Sequence, residues 1–106
     1  MRPKTWFLSE QAEVSFASIG EWTAEHFGDR QSQSYRDLLI ARCAAVANGL
    51  AHSQHCREVF AQDMPEDLKL TRAGQHYVVF VETEREIAVV DFVHQRMDLA
   101  GKVGET

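Results

Sequence analysis

His76-Tyr77-Val78-Val79-Phe80-Val81 and, after Thr83-Glu84-Arg85, Ile87-Ala88-Val89-Val90-Asp91-Phe92-Val93 form the stretch that decides the fold. Both runs are short, rich in β-branched and aromatic residues, and separated by a polar interval of hairpin length. They predict neighbouring antiparallel strands. The first run is apolar almost without a break, which suits a central strand covered on much of both faces. Just upstream, Leu68 and Leu70 alternate with Lys69 and Thr71, and Ala73-Gly74 supplies a turn, so a third strand precedes these two. Far upstream, Lys4-Thr5-Trp6-Phe7-Leu8 predicts one more strand that stops at Ser9.

Between residue 9 and the loop after residue 50 the period changes. Ser9 can accept an orphan amide as an N-cap, and Glu10 and Glu13 place negative charge in a first helical turn. Ala12, Phe16, Ile19 and Thr23 then recur at helical spacing, with Trp22 and Phe27 broadening the stripe, although Gly20 inside it costs about 1 kcal/mol relative to Ala. Gly28 is expected in the left-handed C-terminal position, with Asp29 capping a second helix. That helix carries Tyr35, Leu38, Leu39, Cys43, Val46 and Leu50 on one face and Gln33, Arg36, Asp37 and Asn48 on the other, and Gly49 with His52-Ser53 marks its end. Residues 51–66 hold no longer period and read as a loop, with Glu58-Val59-Phe60 as a candidate helical turn.

The order is strand, helix, helix, strand, strand, strand. Two helices joined this tightly run antiparallel, and the apolar surface open to their stripes is one face of the sheet. The expected fold is therefore α+β: two antiparallel helices on one face of a curved, mainly antiparallel sheet. With 106 residues the chain is expected to form a single domain over residues 1–106. The polar, Gly-containing tail is expected to fray from about residue 99.

Apolar residues at 44% and charged residues at 25% are a globular composition. No apolar run approaches the roughly 20 residues that span a bilayer, and Trp6-Phe7-Leu8 is too short for a secretory core. The expectation is a cytoplasmic protein with no membrane partner, in which Cys43 and Cys56 stay thiols. The net charge of -5 is the wrong sign for a free-standing nucleic-acid binder, so no direct nucleic-acid contact is expected. His52, His55 and Cys56, with Cys43 as a distant fourth, contain zinc-ligand types at a spacing that matches no common zinc pattern; no metal and no cofactor are expected. Trp6, Phe16, Trp22, Phe27, Tyr35 and Phe60 read as core rather than as a ligand-binding set. No phosphate-cradling loop or nucleophile motif occurs.

Four segments carry a resemblance: Leu8-Ser9-Glu10-Gln11-Ala12, Trp22-Thr23-Ala24-Glu25-His26-Phe27-Gly28, Gly74-Gln75-His76-Tyr77-Val78-Val79-Phe80 and Val93-His94-Gln95-Arg96-Met97-Asp98-Leu99. In this order and at this length they resemble the ParE toxins of the RelE/ParE superfamily. The resemblance implies two antiparallel helices on a curved antiparallel sheet, and the toxin half of a bacterial type II toxin–antitoxin pair. It further implies neutralisation in a hetero-oligomer with a ParD-like antitoxin, and growth arrest by binding and inhibiting DNA gyrase without catalysis, in the service of plasmid maintenance. Three features depart from the family pattern: the acidic balance, Phe80-Val81 where a Tyr-Arg pair is common, and His52-Ser53-Gln54-His55-Cys56-Arg57 before the second strand.

The RelE branch supplies the alternative, ribosome-dependent cleavage of messenger RNA. That chemistry needs a proton-moving group and cations that hold a phosphorane. His94, Arg72, Arg96 and Lys69 are the candidates, with Lys69 and Arg72 on a strand flank and Arg96 just past the last strand expected to be able to converge on one sheet face. On the binding reading there are no catalytic residues, and Arg72, His94, Arg96 and Asp98 are the target-binding candidates, the last three as a structural motif at the strand end. A toxin that has lost activity and is retained for operon autoregulation is the third possibility.

Overall fold

The computed structural model describes residues 3–59 and 65–96. Asp98, the tail expected to fray from about residue 99, and Phe60 lie outside the described residues. The elements run β1 (Thr5–Leu8), α1 (Glu10–Phe27), α2 (Asp29–Ala47), β2 (Gln54–His55), α3 (Cys56–Val59), β3 (Leu68–Ala73), β4 (His76–Glu82) and β5 (Glu86–His94). The sheet order is β1-β5-β4-β3-β2. All pairings are antiparallel except β1 with β5, where Thr5 faces Glu86 and Leu8 faces Val89 in parallel. The architecture is the expected α+β one, a helical pair on an open, mixed sheet.

Ser9 caps α1 as its position predicts. Its Oγ accepts the Ala12 N–H at 3.1 Å and donates to the Val90 carbonyl at 2.9 Å, so the cap also pins the helix start to β5. Gly28 ends α1, its N–H reaching the Ala24 carbonyl at 2.9 Å, but it does not adopt the expected left-handed conformation. Its φ of 94° with ψ of 166° combines a positive φ with an extended ψ, a region essentially restricted to glycine. Gly28 thereby serves as the N-cap of α2 as well, and Asp29 is the first helical residue rather than the cap. The hairpin turns on one residue. At the other end of α2, Gly49 at φ 72° donates to Val46 and Leu50 donates to Ala45, the paired bonds of a Schellman motif.

The first core lies between the helices and the sheet, built from Ala12, Leu39, Cys43, Val46, Val78, Phe80, Ile87, Val89 and Phe92. A second apolar cluster of Cys56, Leu68, Leu70, Val79 and Val93 covers the other face. The segment read as a loop from sequence supplies part of that cover: β2 pairs with Leu70 and Lys69, and α3 presents Cys56. Local periodicity was too short to reveal it, since β2 has two residues and α3 four. Leu50, expected on the buried face of α2, lies past the helix end and is 80% exposed. Cys43 and Cys56 are free and sit on opposite faces of the sheet.

An irregularity breaks the β4–β5 register: Val79 faces Asp91, Phe80 faces Val89, and Val90 is the extra residue of a bulge. The bulge re-aims Asp91, whose buried carboxylate accepts the Ser15 hydroxyl of α1 at 2.5 Å and the Phe92 N–H at 2.8 Å.

Candidate functional site

Wheel positions along α1 explain the site. Thr23 faces the core, and Trp22 lies about 100° around the helix from it, at the edge of the buried stripe rather than within it. Trp22 is 54% exposed and Phe27 65%, which corrects their assignment to the core. The two rings meet edge-on with centroids 5.9 Å apart, and the His26 ring stacks on Trp22 at 4.1 Å while its Nδ1 is 2.8 Å from the Trp22 carbonyl. Trp22 and Phe27, with Ser18, Ile19 and Thr23, form one wall of an open, mainly apolar groove of about 600 Å³. Its remaining lining comes from the start of α2, through Gln31 and Tyr35, and from the sheet end, through Gln75, His76 and His94.

The polar edge of the groove is built around Tyr35. Its hydroxyl accepts the Gln75 N–H at 2.9 Å and lies 2.6 Å from His76 Nδ1, against 3.5 Å from the Ala73 carbonyl. A phenol has one proton, and the His76 tautomer decides whether it goes to His76 Nδ1 or to the Ala73 carbonyl. Burial pushes the Tyr35 phenol up from its ordinary value, partly offset by the Gln75 N–H and the Arg72 guanidinium, so it stays protonated at neutral pH. The His76 ring meets His94 edge-on at 5.1 Å, its register partner on β5, and His94 Nδ1 accepts the Arg96 N–H at 3.1 Å. The groove thus offers an apolar wall opposite a row of oriented hydrogen-bonding groups. That is a surface suited to binding an amphipathic ligand.

The residues singled out from sequence are distributed as follows. Lys69 and Arg72 do not share a sheet face: three residues apart on a strand, they point to opposite sides. Lys69 donates to Glu82 at 2.9 Å, as Lys4 does at 2.7 Å, and these hydrogen bonds, Lys4 first, hold the Glu82 carboxyl below the usual range. Along β4 the partner of Lys69 is four residues from the partner of His94, about 13 Å. Arg72, His94 and Arg96 do gather at one end of the sheet. Arg72 is exposed there, its Nε donating to the Gly74 carbonyl at 3.1 Å.

His55 Nδ1 lies 3.2 Å from the Glu66 carbonyl, and among the described residues no three His, Cys, Asp or Glu side chains come together. Burial pushes the Cys43 thiol up to about 12 and the Cys56 thiol to about 11. Among the described residues no helix is long and apolar enough to cross a membrane. Sequence reasoning missed Tyr35, Gln75 and His76 as a site. The available signal was the wheel position of Trp22, which left an aromatic ring with no core to fill.

Residues 7–99 match the sequence model of one family, the ParE toxin of type II toxin-antitoxin system, parDE. Among solved structures, the "Chromosomal ParDE TA system from P. aeruginosa" superposes with a TM-score of 0.66 at 6% identity, covering 86% of this chain and 95% of that one. At that identity the likeness speaks for the fold alone. A search of curated proteins gave no match.

Proposed function

The chain belongs to the ParE toxin family of type II toxin–antitoxin systems, and on that premise we propose that it acts by binding rather than by catalysis, inhibiting DNA gyrase in the cytoplasm until a ParD-like antitoxin covers it. The single observation that carries the binding reading is the exposed Trp22–Phe27 pair over an apolar groove. Large aromatic side chains left half in water at an interface-sized cleft are the usual anchors of protein association. The acidic balance of the chain also suits a protein target better than a phosphate backbone.

In this reading the helical hairpin and the end of the sheet, with Arg72, His94, Arg96 and Asp98, engage the target. The antitoxin forms a hetero-oligomer by occupying the groove, so neutralisation is occlusion of the same surface. Loss of the toxin–antitoxin balance then arrests growth, which is how such a pair maintains a plasmid.

Purified toxin is expected to inhibit gyrase supercoiling in a dose-dependent way, and Trp22→Ala to weaken inhibition at least about tenfold, the cost of losing a buried aromatic anchor, with the fold intact by circular dichroism. Normal supercoiling at saturating toxin removes the gyrase target. Cleavage of ribosome-bound message that depends on His94 and Arg96 transfers the function to the nuclease branch, and harmless expression without antitoxin favours the autoregulatory remnant.

A further inference from the structure

Gly20 lies in the interior of α1, where glycine weakens a helix, and what occupies its place is a side chain of α2. A Cβ built there would lie 3.0 Å from Arg36 Cδ and 3.5 Å from Arg36 Nε. The missing methyl makes a seat for the arginine stem. Once seated, the guanidinium is aimed by two contacts: Nε donates to the Ser32 carbonyl at 3.4 Å, and Nη2 donates to Gln33 Oε1 at 2.9 Å. Gln33 is itself held, since its Nε2 donates to Asp37 at 2.8 Å. Both acceptors of Arg36 are neutral, and Nη1 takes part in neither bond. Among the described residues the ion pairs are Lys4–Glu82, Arg57–Glu66 and Lys69–Glu82, so Arg36 is a half-buried cation, fixed in place and outside every one of them.

Arg36 lines an open groove of about 720 Å³ between α1 and α2, on the opposite flank of α1 from the Trp22 groove. Arg30, Glu21 and Asp29 line it too. We infer that this groove is a carboxylate-binding site, in which an Asp or Glu side chain of a partner protein lies against the Arg36 fork. A guanidinium has five N–H donors in a planar fork and takes a carboxylate through two parallel bonds. Packing has already fixed the rotamer here, so less freedom is lost on pairing than at an arginine free in water. Glu21 and Asp29 set the class of anion: with two charges of each sign in one groove, a phosphate dianion meets about twice the repulsion that a carboxylate monoanion meets. The two grooves share no lining residue, so filling one leaves the other open, and the inference does not rest on the gyrase proposal.

The test uses the full chain and three small probes: glutamate blocked as its N-acetyl methylamide, the glutamine analogue, and the phosphoserine analogue. Nuclear magnetic resonance follows the Arg36 Nε–H and the Gln33 side-chain amide, with the exposed Arg72 and Arg85 as references. The glutamate probe is expected to saturate the Arg36 signal at a concentration at least about threefold below that needed at Arg72 or Arg85. The glutamine analogue is expected to leave it unmoved, and the phosphoserine analogue to bind no more tightly than glutamate. Gly20→Ala retains every charge and fills the seat, and is expected to cancel the threefold advantage. Arg36→Lys retains the charge and loses the fork, and is expected to do the same when read at Gln33.

An Arg36 signal that saturates no earlier than those of Arg72 and Arg85 overturns the inference, because the groove then holds an ordinary solvated cation. Tighter binding of phosphoserine overturns the assignment to carboxylates. Undiminished affinity in Arg36→Lys, or in a Gly20→Ala chain whose backbone amide spectrum shows it folded, overturns the role of the seated fork. Supercoiling assays play no part in these readings, so this inference and the gyrase proposal fail separately.

Discussion

Gly74 is the residue at which two demands meet. Its φ of 60° is left-handed, and a Cβ built there would lie 2.7 Å from Tyr35 Cε1 and 2.9 Å from the hydroxyl. The turn into β4 and the close seating of the phenol therefore both require glycine. Gly74→Ala is expected to cost about 2–3 kcal/mol, combining left-handed strain with displacement of the ring, and to disorder the His76 edge of the groove. Tyr35→Phe, which keeps the ring and loses only hydrogen bonds at a half-open site, is expected to cost about 1 kcal/mol. Urea denaturation of the two variants checks the ranking. A Gly74→Ala cost no greater than that of Tyr35→Phe would show that the ring moves aside freely. Ala73-Gly74 was legible in the sequence as a turn; the dependence of Tyr35 on it was not, because the contact joins residues 39 apart and no local pattern records it.

Among the elements, the strands and helices with a clear period were legible: Ser9 as a cap, the two long helices, and the β3–β4–β5 hairpins follow from spacing and turn residues. Gly28 was legible as a break, but not as a shared cap, since either conformation leaves the same glycine in the sequence. The bulge at Val90 was hidden too. Nothing in Val89-Val90-Asp91-Phe92 distinguishes a regular alternation from one with an extra residue, until the Ser15 hydroxyl of α1 is found on Asp91. That bond ties the helical layer to β5 through a buried carboxylate. Removing its hydroxyl, in Ser15→Ala, is expected to cost about 2 kcal/mol, the range for a hydrogen bond to a charged group, and to lower the melting temperature by roughly 10 °C for a chain of this size. A melting shift under about 2 °C, read by calorimetry, would mean that the other partners of Asp91 suffice.

For the whole molecule, Glu82 is a junction among three strands: Lys4 precedes β1, Lys69 lies on β3, and Glu82 ends β4. Its carboxyl is held below the ordinary range, so it contributes stability that is fully present above the unfolded value of about 4.3 and is lost as pH falls through the lower folded value. Glu82→Gln is expected to be less stable than the parent by up to about 1 kcal/mol near neutral pH, with the difference closing only in the acid range. Denaturation midpoints of both proteins across pH check this, and a gap that does not narrow in acid would assign the loss to packing. The parallel union of β1 with β5 has a consequence in time. Thr5 finds Glu86 only after some 80 residues of intervening chain exist, a closure that is entropically slow and late. A nascent polypeptide still lacking its final ribbon leaves the first one unpaired and the main core roofless on the sheet side, so an interrupted round of translation releases a fragment without the finished cleft. The cell's exposure to the poison begins only with chains completed through β5.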